Sequence, residues 1–143
     1  MAYVIIDRPV GSQRIEVSSD VQNHPLGIIV NAVDPTLGAG EFIYLKGVAS
    51  TVVGSWVTYN PDSWTTALIV PDVIGPVAVA MSANDSSTEY GWYQIGGKGS
   101  AASADVDSGY VYIDTAAGYC DDAVVAGDKV HNARWIGPDD TTL

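Results

Sequence analysis

Hydrophobic and polar residues alternate regularly from residue 41 onwards. In "EFIYLKG", Ile43 and Leu45 lie on one face of a predicted strand, and Phe42 and Tyr44 lie on the other. Similar segments recur, separated by turn residues: "GSWVTYN" (54–60), "TTALIV" (65–70), "PVAVAMS" (76–82) and "EYGWYQIGG" (89–97). Strands repeating every ~8 to 12 residues predict an all-β domain, a small β-barrel or a jelly-roll-like β-sandwich of roughly eight to eleven short antiparallel strands.

The N-terminal part of the chain is less regular. "AYVIID" (2–7) is a short apolar strand candidate, ended by a proline and a glycine. Residues 12–40 hold an apolar run, "PLGIIVNAV", and the turn-like "DPTLGAG", without clear strand boundaries. We predict one domain spanning 1–143, with a regular β core at 41–136. Residues 1–40 are expected to form either an N-terminal arm or a part of the same sheet.

The composition agrees with the alternation. Val, Ile and Thr greatly outnumber Leu, Lys, Glu, Arg and Gln, and β-branched side chains favour strands over helices. The formal net charge is −11, from 17 acidic and 6 basic residues. Such a chain lacks the basic patches that bind phosphate backbones and anionic membranes. We therefore expect neither nucleic acid nor a membrane as a partner.

Two glycine-containing segments resemble ligand loops but are better explained as turns. "GGKG" (96–99) lacks the Ser or Thr and the helix that follow the lysine of a phosphate loop, so a β-turn or bulge is predicted. "DVDSG" (105–109) resembles the start of a calcium loop, but no further acidic residue follows until Asp114. We predict instead that Asp107-Ser108-Gly109 joins "SAASADV" to "YVYIDT" in a hairpin. No metal and no cofactor is expected.

Catalytic candidates are few. The single cysteine, Cys120, is followed by Asp121 and Asp122, and neighbouring anions disfavour the reactive thiolate. The two histidines, His24 and His131, give no zinc-binding spacing, and no serine lies in a G-x-S-x-G turn. Distant carboxylate pairs stay open as a hydrolase alternative. We expect a non-enzymatic protein in which neither Cys120 nor His131 is catalytic.

Tyrosine and tryptophan dominate the aromatic residues. There are eight tyrosines and four tryptophans but one phenylalanine, which is typical of surfaces with one apolar and one hydrogen-bonded side. Alternation places Trp92 with Tyr90 on one face of their strand and Tyr93 with Ile95 on the other. Both faces are apolar, so this strand is predicted to lie between two layers or under a partner.

The order of these segments resembles the head decoration, or cement, proteins of tailed bacteriophages. A "G-x-x-V-x-Y" strand runs from Gly54 to Tyr59, and a "G-W-x-Q-x-x-G" strand runs from Gly91 to Gly97. Between them lies "GPVAVAMSA" (75–83), in which a proline interrupts the glycine–valine step of the pattern. The resemblance covers about residues 38–136 and rests on pattern, not on a catalytic motif.

The resemblance implies a structural role on the virion. Such proteins bind the outer surface of the major capsid protein shell and stabilise the head, and they would be assembled in the host cytoplasm. We expect self-association as a dimer or trimer. The candidate contact residues are Tyr3, Ile5, Arg8, Arg14, Trp64, Trp92 and Tyr93. The alternative is a β-sandwich carbohydrate-binding module, which would need Trp64, Trp92 and neighbouring tyrosines in one exposed strip.

Overall fold

Eleven β-strands make up the regular structure in a computed structural model, which describes residues 3–6, 11–103, 108–137 and 140–143. In chain order the strands are β1 (Val4–Ile5), β2 (Ile29–Asp34), β3 (Gly38–Lys46), β4 (Trp56–Tyr59), β5 (Thr66–Leu68), β6 (Val77–Ala80), β7 (Tyr90–Ser100), β8 (Gly109–Ile113), β9 (Cys120–Asp121), β10 (Lys129–Gly137) and β11 (Asp140–Thr142). No helix occurs in these ranges, so none is available there to cross a membrane. The predicted all-β class is confirmed.

The strands form one antiparallel sheet that is not closed. Its main path runs β1-β2-β3-β7-β11-β10-β8-β9, and a branch leads from β7 through β6 and β4 to β5. Of the two architectures expected, the open sheet fits the sandwich-like one. The long strand β7 belongs to both halves of the sheet, because its first part pairs with β3 and β6 and its last three residues pair with β11.

The branch curls back towards the main path. The backbone N–H of Lys46 in β3 donates to the Trp64 carbonyl at 3.0 Å, and the Thr66 hydroxyl donates to the Lys46 carbonyl at 2.9 Å. β3, β7, β6, β4 and β5 thus surround a small set of buried side chains, the inner core: Ile43, Leu45, Val57, Ala78, Ala80 and Tyr93. The two alanines keep this interior narrow enough for the strands to wrap around it.

The opposite faces of β3 and β7 carry a second core rich in rings. This aromatic core contains Tyr3, Ile5, Ile15, Val30, Ala32, Phe42, Tyr44, Met81 and Trp92. Hydrogen bonds of the buried Gln13 side chain join the segment before β2 to this aromatic core. The hydroxyl of Tyr44 and the side-chain amide of Asn23 donate to Gln13 Oε1 at 2.7 and 2.9 Å, and Gln13 Nε2 donates to the Tyr90 carbonyl at 3.1 Å. A buried polar side chain with its partners satisfied fixes how this segment lies.

A third core lies between β4–β6 and the strands β8–β10. This inter-layer core contains Trp56, Ile69, Val79, Ala101, Val111, Ile113, Cys120, Val130, Ala133 and Trp135. The Trp56 and Trp135 rings meet edge to face with centroids 5.9 Å apart. Their indole N–H groups donate to the carbonyls of Ala102 and Asp121, so both large rings are buried with their polar atoms paired.

The described part of the N-terminal segment pairs within the sheet. β2 and β3 form a hairpin, and the Asp34 carboxylate accepts the backbone N–H groups of Thr36 and Leu37 in its turn, at 2.7 and 2.8 Å. β3 therefore starts at Gly38, three residues before the predicted boundary. β1 pairs with β2 as the edge strand. Of the two alternatives expected for residues 1–40, the pairing of β1 with β2 favours the one in which they form part of the sheet over the one in which they form an arm.

The predicted hairpin between "SAASADV" and "YVYIDT" is not formed by the described residues. The residues Lys98–Ser100 pair with β11, and β8 pairs with β10 and β9. Both edges of β8 are thus taken by other strands, β10 and β9. Residues 104–107, which include Asp107 of the proposed turn, lie outside the described residues.

A β-turn or bulge was predicted for "GGKG" (96–99), and β7 has a bulge immediately before this segment. Gly96 pairs with Glu41 whereas Gln94 pairs with Phe42, so Ile95 is an extra residue on β7. Just beyond it, Gly97 has φ of 96° and crosses close to the backbone of Ala39. Glycine is required there because a side chain would meet that backbone.

Candidate interaction surfaces

The outer face of β1 and β2 carries a stripe of exposed β-branched residues. Val4, Ile6, Ile29 and Val33 are between 40% and 61% exposed. Val4 lies directly opposite Val33, and the Ile6 backbone N–H donates to the Asn31 carbonyl at 3.0 Å. We call these four residues the edge face. The exposed Asn31 lies on the same face between Val33 and Ile29. Single exposed valines are ordinary, but four exposed apolar residues grouped at a sheet edge are typical of a contact surface.

Alternation explains why these residues face outwards. β2 shows strict exposed–buried alternation, with Val30 and Ala32 in the aromatic core and Ile29 and Val33 outside. The same period runs through β1. Tyr3 and Ile5, two of the predicted contact residues, are buried in the aromatic core, so the surface at this edge is formed by Val4 and Ile6 instead. Alternation gives the period of a strand but not which face turns inwards.

Tyr3 and the predicted aromatic contact residues of β7 are held inside the subunit. The Tyr3 hydroxyl donates to the Lys98 carbonyl at 2.6 Å. Trp92 donates its indole N–H to the Gln13 carbonyl at 2.9 Å, and Tyr93 accepts from Asn84 Nδ2 at 2.8 Å. Burial raises the pKa of Tyr93 to about 12, which marks its hydroxyl as shielded from water. As predicted, β7 lies between two layers, so these rings offer no surface to a partner.

Two predicted residues keep solvent contact. Arg14 is exposed, and Trp64 is half-buried, with its ring over Gly27 and stacked on Tyr59 at a centroid distance of 6.4 Å. Arg8 lies outside the described residues. Because Trp92 is buried, it does not join Trp64 in an exposed strip, and the feature that would favour carbohydrate binding is not present at this position.

An open cleft of about 550 Å³ lies between the β5–β6 loop and β10. Its floor consists of the buried residues Ile69, Ile113 and Val130, and half-buried apolar side chains form its walls: Val77, Ile95 and Leu143. Tyr59 also lines it, and burial raises the pKa of that hydroxyl. The cleft is therefore apolar at its base.

An irregularity in β10 places polar side chains at the rim of this cleft. Lys129 pairs with Tyr112 and Arg134 pairs with Tyr110, so β10 has extra residues between these two pairs. Within that stretch Asn132 adopts φ of 63°, and His131 and Asn132 line the cleft while exposed to solvent. Lys129, also at the rim, lies with Nζ 3.5 Å from the Tyr110 ring centroid.

The most exposed large apolar residue of the described chain stands on the opposite rim. Ile74 is 97% exposed, in a loop bounded by Pro71 and Pro76. The buried carboxylate of Asp128 accepts the backbone N–H of Asp72 at 2.9 Å and so fixes the base of this loop. The sequence "PDVIGP" does not distinguish Ile74 from the adjacent Val73, which is half-buried, because the fold of the loop decides which of the two faces solvent.

Cys120 is buried in the inter-layer core. Burial raises the pKa of its thiol, and the charges of Asp121 and Asp114 raise it further. The neutral thiol is thus favoured in the folded chain. No group of three or more His, Cys, Asp or Glu side chains that could hold a metal ion occurs within the described ranges.

The raised pKa of the Cys120 thiol predicts a pH dependence. An unfolded thiol ionises above ~pH 8.5, whereas the folded one stays protonated, so the unfolded chain binds fewer protons there. The free energy of unfolding should therefore fall by about 1 kcal/mol per pH unit above that value. In urea titrations between about pH 7 and pH 9.5, Cys120→Ala should show a flatter decline than the natural chain. An equal decline in both chains would contradict this assignment.

Comparison with known proteins gives no family model that matches the chain, no curated protein with a significant match and no solved structure with a significant match.

Proposed function

We propose that this protein is a non-enzymatic decoration protein of a tailed-phage head. In this role it binds the outer surface of the major capsid protein shell and stabilises the shell against internal pressure. The order of segments in residues 38–136 supports this assignment by its resemblance to such proteins. The observation that carries it is the edge face, an exposed apolar stripe at the free edge of the sheet.

The edge face suits a contact with a preformed protein shell. Its side chains are short and β-branched, so little rotamer freedom is lost when a partner covers them. At the outer edge of β1 the backbone N–H of Tyr3 already donates to Glu16 Oε1 at 3.1 Å, so side chains and not strand pairing would supply most of the contact. Each contact is modest in size, but many copies on one shell would stabilise it together.

A binding assay on undecorated heads tests this proposal. Purified natural chain should sediment with the heads and raise the temperature at which they release DNA. Val33→Asp places a charge directly opposite Val4 in the edge face and should weaken binding at least about tenfold, since a desolvated charge without a partner is costly. The double change Val4→Thr and Val33→Thr keeps the shape and β-propensity of the pair and should weaken binding less.

Val53→Asp is the matched control, because Val53 is also exposed, at 53% against 40% for Val33, but lies in the loop before β4. It should bind heads like the natural chain. Circular dichroism confirms that each variant is folded. If the natural chain does not bind heads, the proposed function fails. If Val33→Asp binds as tightly as Val53→Asp, the shell contact lies elsewhere than on the edge face.

A further inference from the structure

The apolar cleft and Ile74 lie side by side, and Ile74 is almost completely exposed to solvent. We infer that a second copy of this chain binds here, each subunit placing Ile74 into the cleft of the other. This inference concerns a different surface from the edge face and does not depend on the proposed function.

The shapes of the two features are complementary. Ile74 projects from the loop with 97% of its surface in solvent, and the cleft of about 550 Å³ has an apolar floor and walls. A branched side chain of four carbons fits within such a volume. The loop is held in place, because Asp128 binds the Asp72 backbone and Asp72 itself adopts φ of 65°. A preorganised projection loses little entropy on binding.

The position of Ile74 selects a two-fold arrangement. Ile74 stands on the rim of the cleft of its own chain, not on a distant surface. When a projecting side chain and the cleft that receives it are neighbours, a two-fold axis close to the rim lets each subunit place its Ile74 in the cleft of the other at the same time. Such a contact is self-complementary and closes as a dimer, whereas a projection far from its recess would generate open chains of subunits.

Charges at the rim fit the same arrangement. The projecting loop carries the exposed Asp72, and the far rim carries Lys129. Insertion of Ile74 into the partner would bring the Asp72 carboxylate towards the Lys129 ammonium group. This local attraction opposes the general repulsion between two chains that each carry a net charge of −11.

Sedimentation of the purified full chain tests the inference. The natural chain should be a dimer at about 100 µM, in ~0.15 M salt, where repulsion between the two chains is screened beyond ~8 Å. Ile74→Asp should raise the dissociation constant at least about tenfold. His131→Trp places a large ring in the cleft from an exposed position on the opposite rim. It should also raise the dissociation constant at least about tenfold.

Val53→Asp and Val33→Asp serve as controls and should remain dimeric, because neither residue lies at the cleft. Urea unfolding checks that both cleft variants are as stable as the controls. A natural chain that is monomeric at this concentration overturns the inference, and so does a dimer that survives both Ile74→Asp and His131→Trp. Head binding by the Ile74→Asp monomer would leave the proposed function intact, so the two proposals fail separately.

Discussion

Replacing Trp92 with alanine should lower the free energy of unfolding by about 3–5 kcal/mol, the usual cost of truncating a buried aromatic side chain. Trp92 is 1% exposed and meets the Tyr44 ring edge to face with centroids 5.0 Å apart. The alanine variant loses these contacts and also leaves the Gln13 carbonyl without its indole donor. Because a natural domain is stable by only ~5–15 kcal/mol, a large fraction of the stability should be lost.

Urea titration followed by far-UV circular dichroism measures this loss without relying on the fluorescence of the deleted ring. Trp92→Phe retains a ring but not the N–H group and should cost less than the alanine variant. Trp64→Ala, at a half-buried position, provides a second comparison. A Trp92→Ala variant no less stable than Trp64→Ala would contradict the burial of this ring.

Replacing Gly97 with alanine should destabilise the protein by about 2–5 kcal/mol, from two causes that add. The left-handed conformation costs a residue with a side chain ~1–2 kcal/mol. In addition, a Cβ at this position would lie 2.5 Å from the Ala39 carbonyl oxygen and 2.9 Å from Gly40 Cα. Both are backbone atoms of the paired strand, so relief requires the strands to separate, at a cost typical of overpacking, ~1–3 kcal/mol.

Two other glycines separate these causes. Gly38 has φ of 84° but open space around its missing Cβ, so Gly38→Ala should show the conformational cost alone. Gly137 lies in open space without a positive φ, and Gly137→Ala should be close to neutral. In chemical denaturation, the free energy of unfolding should be lowest for Gly97→Ala, intermediate for Gly38→Ala and highest for Gly137→Ala. Equal stability of the Gly97 and Gly38 variants would exclude the predicted backbone clash.

Local alternation predicted much of the fold. The faces of β3 and β7 were assigned correctly, because Ile43 and Tyr93 lie in the inner core while Phe42 and Trp92 lie in the aromatic core. A period of two residues is a direct consequence of strand geometry and needs no knowledge of the partner strand. The same reasoning identified β7 as a strand with two covered faces.

Non-local pairing could not be predicted in this way. The three residues Asp140–Thr142 insert as β11 between β7 and β10, and no pattern within so short a segment indicates its partners. Which residues of β1 face inwards is also decided by packing, since Tyr3 and Val4 are both apolar enough to face the core. For this reason the sequence predicted an N-terminal contact segment but selected its buried residues in place of Val4 and Ile6.

The alternation of β3 and β7 between the inner and aromatic cores has a consequence for how the protein unfolds. Neither strand can leave one core while its neighbouring residues stay in the other, so partial opening of either core exposes both. We expect the two cores to melt as one cooperative unit. Amide protons along β3 and β7 should then show a common free energy of opening, equal to that of global unfolding, and mechanical force on the subunit would unfold both cores in one step.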